Sequence, residues 1–143
     1  MYYYLGTLGV GGGFALGAKL ACPDKEIWLL WGDGSSGYSI AEMDTFVKHK
    51  CPIIALIGND AAWTQIEREQ VPMFNSNVSC ALKYLEYDSV ARGYGADGVT
   101  IKDPKENLRK VLEDVRRKHG EGVPMVINAM IGRTNFREGS ISV

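Results

Sequence analysis

The chain has 143 residues, 45% hydrophobic and 23% charged, which is enough for one domain with a real core. Its 16 Lys and Arg against 17 Asp and Glu leave a net charge of −1, which argues against a nucleic-acid-binding surface. No apolar run approaches the roughly 18–20 residues of a membrane span, and no signal-peptide pattern opens the chain.

The opening stretch MYYYLGTLGVGGGFALGAKLA is crowded with glycine between Gly6 and Gly17, and so abrupt a start reads as a piece of a larger protein. Residues 12–21 carry helix formers, and Pro23 with Asp24 closes that helix. EIWLLW, residues 26–31, is apolar without alternation, the pattern of a strand covered on both faces. A glycine-rich loop over 32–37 leads into YSIAEMDTFVKHK. There Ile40, Met43, Phe46 and Val47 fall at helical spacing, and Ser39 with Glu42 predicts a capping box. PIIALIG, residues 52–58, is a second buried strand, closed by the polar turn NDAAW.

Further along, TQIEREQ suggests a helical turn, VPMFNSNVSC irregular surface, DSVARGYGA a short helix and GVTI a brief strand. The clearest helix is DPKENLRKVLEDVRRKHGEG, with Asp103 as N-cap, Pro104 at the first position and Glu106 completing the cap. Leu108, Val111, Leu112 and Val115 give it one apolar stripe; VPMVINAMI then reads as a last buried strand and GRTNFREGSISV as a polar tail. Cys22, Cys51 and Cys80 fit neither a zinc site nor a disulfide framework, and read as free, mostly buried thiols.

This alternation of strand and helix predicts an α/β domain of three layers, a mainly parallel sheet covered by helices on both faces. Residues 1–143 are expected to form a single domain of a larger multidomain subunit, with apolar surface left exposed where other domains would sit, and hence to self-associate. Ligands of such sheets sit beyond the carboxyl ends of the strands. The turns at 32–37 and 59–62 lie there, which puts Asp33 and Asp60 on one edge.

Gly32, Gly34 and Gly37 satisfy G-x-G-x-x-G between a strand and a helix, a dinucleotide-binding pattern that an unliganded tight turn also produces. Asp33 weighs against a bare pyrophosphate, because a carboxylate beside it is repelled in a site too dry to screen the charges. The charge makes sense if a divalent cation lies between acid and phosphate. Magnesium takes oxygen ligands and keeps phosphate oxygens among them.

The spaced pair GDGS, residues 32–35, and ND, residues 59–60, resembles the signature of the thiamine-diphosphate-dependent enzymes. LGTLGVGGGFALGAKLACPDKEIWLLWGDGS is similar to their acetohydroxyacid synthase branch, and GNDAAWTQIEREQVP with GRTNFREGSISV to its animal lyase-like members. The resemblance covers essentially the whole chain. It implies a thiamine diphosphate- and Mg2+-binding domain, normally the C-terminal third of a subunit. Within the family's pattern Asp33 matches the first magnesium ligand, and Gly32, Gly34 and Ser35 fall in the loop that meets the diphosphate. Asp60 stands where relatives carry an amide ligand, with Asn59 the alternative if the turn shifts by one, and Ala62 matches the backbone carbonyl ligand. Gly6 and Leu8 match the segment that holds the aminopyrimidine, Leu8 as the wedge that bends the cofactor; an ordinary core leucine is the competing reading.

The resemblance further implies a 2-hydroxyacyl-CoA lyase-like enzyme giving an aldehyde and formyl-CoA, or an acetolactate synthase acting on pyruvate. The substrate would be a small-molecule acyl-CoA or 2-oxo acid. The family's ring-protonating glutamate comes from the pyrimidine-binding domain of a partner subunit, and no residue here matches it, so a homo-oligomer is implied and this chain alone is expected to be inactive. Animal lyase-like members are anchored to the endoplasmic reticulum by a segment outside this stretch, so this segment itself is expected to be soluble and to make no membrane contact. A dinucleotide-binding module and a catalytically silent scaffold domain remain as readings of another class. Trp63 and Gln65 read as packing and solvent-facing residues, with a substrate-facing role the alternative; Glu67, Arg68 and Glu69 read as a solvated helix face rather than an acid–base set, and His49 and His119 as helix-end residues without catalytic roles.

Overall fold

A computed structural model describes residues 7–103, 105 and 107–134. Strands β1 (Trp28–Gly32), β2 (Ile54–Asn59), β3 (Asp97–Ile101) and β4 (Met125–Met130) form one sheet in the order β1-β2-β4-β3, with every pair parallel. Helices α1 (Gly11–Ala21), α2 (Asp33–Ser36), α3 (Glu42–Lys48), α4 (Thr64–Phe74), α5 (Tyr87–Gly93) and α6 (Leu108–Gly120) connect them. The register sets Gly32 beside Gly58, and Asn128 between Ile57 and Thr100, so the turns after β1 and β2 leave from one edge of the sheet.

β2 and β4 occupy the centre, and their apolar runs are buried on both faces. On one face Ala15 of α1, Met43 and Phe46 of α3 and Ala91 of α5 pack with Trp31, Ala55, Ile57 and Val126. On the other, Val115 of α6 packs with Ile54, Met125 and Ile127. Phe46 and Met43 are fully enclosed, each worth roughly 1.5–3 kcal/mol of burial. The approach of α1 to α3 depends on Gly12, where a Cβ would lie 2.8 Å from Cγ of Glu42. Helices therefore cover both faces, as the alternation predicts.

β1 departs from expectation. It reads as a strand covered twice, yet it is an edge strand whose Trp28 is 39% and Leu30 71% exposed. The cause is coverage: α6 packs over the central strands and leaves β1 bare on that face. Three local expectations also fail. Ser39 does not cap α3; its buried hydroxyl finds no partner, because the amides of Glu42 and Met43 already bond the Ser39 and Ile40 carbonyls. Asn107, not Asp103, caps α6, its Oδ1 accepting from the Lys110 amide at 3.1 Å, while Asp103 accepts from the Lys105 amide at 2.8 Å and closes a turn before the helix. Pro104 and Glu106 lie outside the described residues. Finally, α4 runs through Val71–Phe74, with Pro72 inside it. So near the helix end the missing amide removes one bond, and Asn75, at φ 49°, stops the helix.

The three cysteines are free, with Cys51 and Cys80 buried and Cys22 exposed. Among the described residues no helix is long and apolar enough to cross a membrane.

Candidate functional site

Asp33 opens α2 immediately after β1 and is only 2% exposed. Its carbonyl is fixed by Ser36 Oγ at 2.7 Å and the Tyr87 hydroxyl at 3.1 Å. The Ser35 hydroxyl donates back to the Gly32 carbonyl at 2.9 Å, which tightens the same loop. The Asp33 side chain is left differently: its Oδ2 is buried with no hydrogen-bond partner. Burial pushes this carboxyl above its ordinary range; the Gly34 amide opposes that, and the nearby charge of Asp60 adds to it.

The second turn begins at the end of β2. Asp60 is half-buried and its Oδ2 accepts from Thr64 Oγ1 at 2.5 Å. Ala61 adopts φ 55°, a left-handed conformation costing on the order of 1–3 kcal/mol outside glycine. Backbone bonds hold it there: the Ala61 carbonyl accepts from the Leu82 amide at 2.9 Å and from Arg133 at 3.1 Å, and the Trp63 amide donates to Cys80 at 2.8 Å.

Asn59 faces inward, fully buried. Its Nδ2 donates to the Leu85 carbonyl at 3.2 Å and to Asn128 Oδ1 at 3.1 Å, and its Oδ1 accepts from the Ala61 amide at 3.3 Å. Asn128, also fully buried, donates to Leu85 at 2.9 Å and to Thr100 Oγ1 at 3.2 Å. The Thr100 hydroxyl donates to Asp88 Oδ1 at 2.7 Å, and Arg92 donates to Asp88 Oδ2 at 2.7 Å to close the network. Burial alone would raise the Asp88 carboxyl, but the Thr100 and Arg92 bonds outweigh it and hold the group below its ordinary range.

Trp63 connects the two turns. A Cβ on Gly34 would lie 2.6 Å from the indole, so only glycine admits the ring here, and Tyr38 meets that ring edge-on with centroids 6.3 Å apart. Leu8 is 49% exposed and so is no core leucine; Gly6 lies outside the described residues.

The structure thus brings Asp33, Gly34, Asp60 and Trp63 to one edge and turns Asn59 away. Among the described residues no three His, Cys, Asp or Glu side chains cluster to hold a metal. Two carboxylates, one oxygen orphaned, suit a hard cation that completes its shell from backbone and ligand oxygens. Sequence reasoning missed Asn128, Thr64 and Tyr87. A lone asparagine within VINAMI was the available signal for the first, since a polar residue in a buried strand needs partners. The solvated-face reading of 67–69 holds for exposed Glu69, whereas Glu67 bonds Arg133 at 3.0 Å and Asn77 at 3.1 Å.

The family of thiamine pyrophosphate enzymes, through its C-terminal TPP binding domain, matches residues 1–129. The chain is 55% identical over 139 residues to 2-hydroxyacyl-CoA lyase 2 of Danio rerio and 56% identical to that of Homo sapiens, covering 96% of this chain and 22% of each relative. An acetolactate synthase large subunit of Mycobacterium tuberculosis is 37% identical over 126 residues, 87% of this chain and 22% of that one. The thiamine diphosphate-dependent 4-hydroxybenzoylformate decarboxylase of Rhodococcus jostii RHA1 shares the fold, with a TM-score of 0.74 and 23% identity over 89% of this chain and 24% of that chain. The chain spans 22% of the length of these curated lyase relatives.

Proposed function

The chain belongs to the thiamine pyrophosphate enzymes as their C-terminal TPP binding domain, and we propose that it holds the cofactor's diphosphate through magnesium, in an enzyme that cleaves a 2-hydroxyacyl-CoA to an aldehyde and formyl-CoA. The observation that carries the metal is the buried Asp33 carboxylate, one oxygen without a partner, beside the charge of Asp60. Two such carboxylates repel unless a cation neutralises them. In this reading Asp33 and Asp60 are the side-chain ligands. Ala62 contributes its carbonyl, since that of Ala61 already serves Leu82 and Arg133. Asn59 is no ligand, because both ends of its amide are engaged. Gly32, Gly34 and Ser35 line the loop facing the diphosphate.

When bound, TPP would supply the nucleophilic carbon and the electron sink needed to break a carbon–carbon bond. This chain's residues bind and orient. Gly6 and Leu8 are assigned to the aminopyrimidine, and the exposed Leu8 side chain offers an apolar surface for a ring to lie against. The lyase reaction follows the names of the relatives at 55–56% identity; the 37% match supports acetolactate synthesis as the second reading. The whole enzyme decides between them: acetolactate formed from pyruvate would replace the lyase assignment. The dinucleotide reading is set aside by the family match.

We assign the chain to residues of a larger subunit that is completed in a homo-oligomer, where a partner's pyrimidine-binding domain supplies the missing glutamate. Bare Leu30 and Trp28 on β1 provide apolar surface for such contacts.

Calorimetric titration of the full chain with TPP tests the cofactor reading, in magnesium, then in EDTA, beside an NAD control. Magnesium-dependent heat, lost in Asp33→Ala and Asp60→Ala, is the expected result. Heat with NAD alone would overturn it, and silence with every ligand would favour a scaffold domain.

A further inference from the structure

We propose that Arg68 recognises an oxyanion of the substrate, a carboxylate or a phosphate ester, in a cleft beside the metal turn. The proposal rests on the cofactor reading for what the cleft serves, but not for its test. The cleft is an open groove with a volume of about 400 Å3, lined by Asp60, Thr64, Gln65 and Arg68 and, just beyond β4, by Ile131 and Gly132. That volume suits a small acid or one end of a larger ligand, and falls within the roughly 300–1,000 Å3 of ordinary ligand pockets.

Three observations single out Arg68. It is half-buried on α4 and lines the cleft. It makes no hydrogen bond or ion pair among the described residues, although arginine stays charged at every physiological pH and presents a planar fork of donors. The acids that would ordinarily pair with it are engaged elsewhere. Glu67, its chain neighbour, bonds Arg133 at 3.0 Å and Asn77 at 3.1 Å, and Asp60 accepts from Thr64 at 2.5 Å.

A half-buried fork of donors without a counter-ion is the geometry that bidentate carboxylate and phosphate recognition uses. Thr64 and Gln65, from the first turn of the same helix, add polar groups to the lining. Asp60 by itself would repel an anion; with a divalent cation against it, the lining becomes attractive. The residue names a substrate class: a molecule whose reacting carbon lies near the metal turn and whose anionic group lies one helical turn along α4. A 2-oxo acid brings a carboxylate, and an acyl-CoA brings phosphate esters.

The test reads the guanidinium itself. In the 15N-labelled full chain with magnesium chloride and no TPP, the Arg68 Nε–Hε resonance is assigned by its loss in Arg68→Lys, and pyruvate and coenzyme A are titrated separately. The expected result is a saturable shift with one probe in the wild type; calorimetric titration with that same probe should show at least tenfold weaker binding in Arg68→Gln and partial rescue in Arg68→Lys. Saturation by pyruvate identifies a carboxylate; saturation by coenzyme A identifies a phosphate ester. No saturable shift with either, or equal affinity in Arg68→Gln, overturns the proposal. Magnesium–TPP binding, measured in parallel, is expected to be unchanged within twofold in Arg68→Gln. Its absence from the wild type would defeat the cofactor reading while leaving the anion result standing.

Discussion

The indole of Trp63 lies over Gly34 so closely that a Cβ at that position would stand 2.6 Å from the ring. The residue that follows the turn after β2 is thereby pressed on the glycine loop after β1. Gly34→Ala must push the ring or the loop aside, an overpacking cost of about 1–3 kcal/mol. Magnesium–TPP affinity should fall at least tenfold. Adding Trp63→Ala should restore part of both losses, a coupling that denaturant titration and calorimetry of the double-mutant cycle will measure. Strictly additive effects would mean that the contact constrains nothing.

Asp33→Asn should separate stability from binding. In the metal-free chain the buried Asp33 carboxyl titrates above its ordinary value, chiefly through burial. The folded state therefore holds a proton that the unfolded state has released, and stability falls as pH rises from about 4 through that raised value. Removing the charge should raise the midpoint of unfolding in EDTA at neutral pH, by an amount on the order of 1 kcal/mol. The same variant should lose magnesium-dependent TPP binding. A melting curve in EDTA that is lower than wild type would count against the strain assigned to this group.

Asn128→Leu removes the hub between β2 and β3. Asn59 keeps its bond to Leu85 but loses the one to residue 128, and Thr100 loses a donor. The cost should be about 1–3 kcal/mol for buried groups left short of partners. Because Asn59 also holds the Ala61 amide, magnesium–TPP affinity should fall with it, although residue 128 lies outside the turn itself. Stability lost without any change in that affinity would confine the network to the core.

The pH dependence of stability has a second source in Asp97 and Lys118, 2.7 Å apart. The Lys118 hydrogen bond holds the Asp97 carboxyl below its ordinary range, and the Asp97 bond holds the Lys118 ammonium above its own. The aspartate's contribution is present above about pH 4 and is lost as pH falls through its lowered value; the lysine's is present below about pH 10 and is lost as pH rises through its raised value. Asp97→Asn should cost roughly 0.5–1 kcal/mol, since the pair is partly exposed, and the difference from wild type should vanish at both extremes and shrink in high salt. Urea midpoints across pH provide the check.

Much of the fold was legible because its signals are short-range. Unbroken apolar runs marked β2 and β4, and the stripe through Val115 marked α6, since period and polarity are set within a few residues. The errors fell where a distant element decides. β1 carries an apolar run like that of β2 but lies at the edge of the sheet, where α6 does not cover it. Ser39 and Asp103 are good capping residues in the wrong neighbourhoods, one supplanted by carbonyls of a preceding turn and the other by Asn107 nearer the helix.

At the site, the residue types and the order of the turns determined that two acids would meet at the carboxyl edge of a parallel sheet, because strand direction and short connections leave them nowhere else. Only the tertiary structure decided which member of the Asn59–Asp60 pair faces outward. That choice follows from Asn128, far along the chain, which binds the Asn59 amide in the core and leaves Asp60 to the turn. It also decided that Trp63 rests on Gly34 and that Arg68 lines a cleft rather than a solvated face. Partners of that kind are chosen by packing across the sheet, which no local spacing encodes.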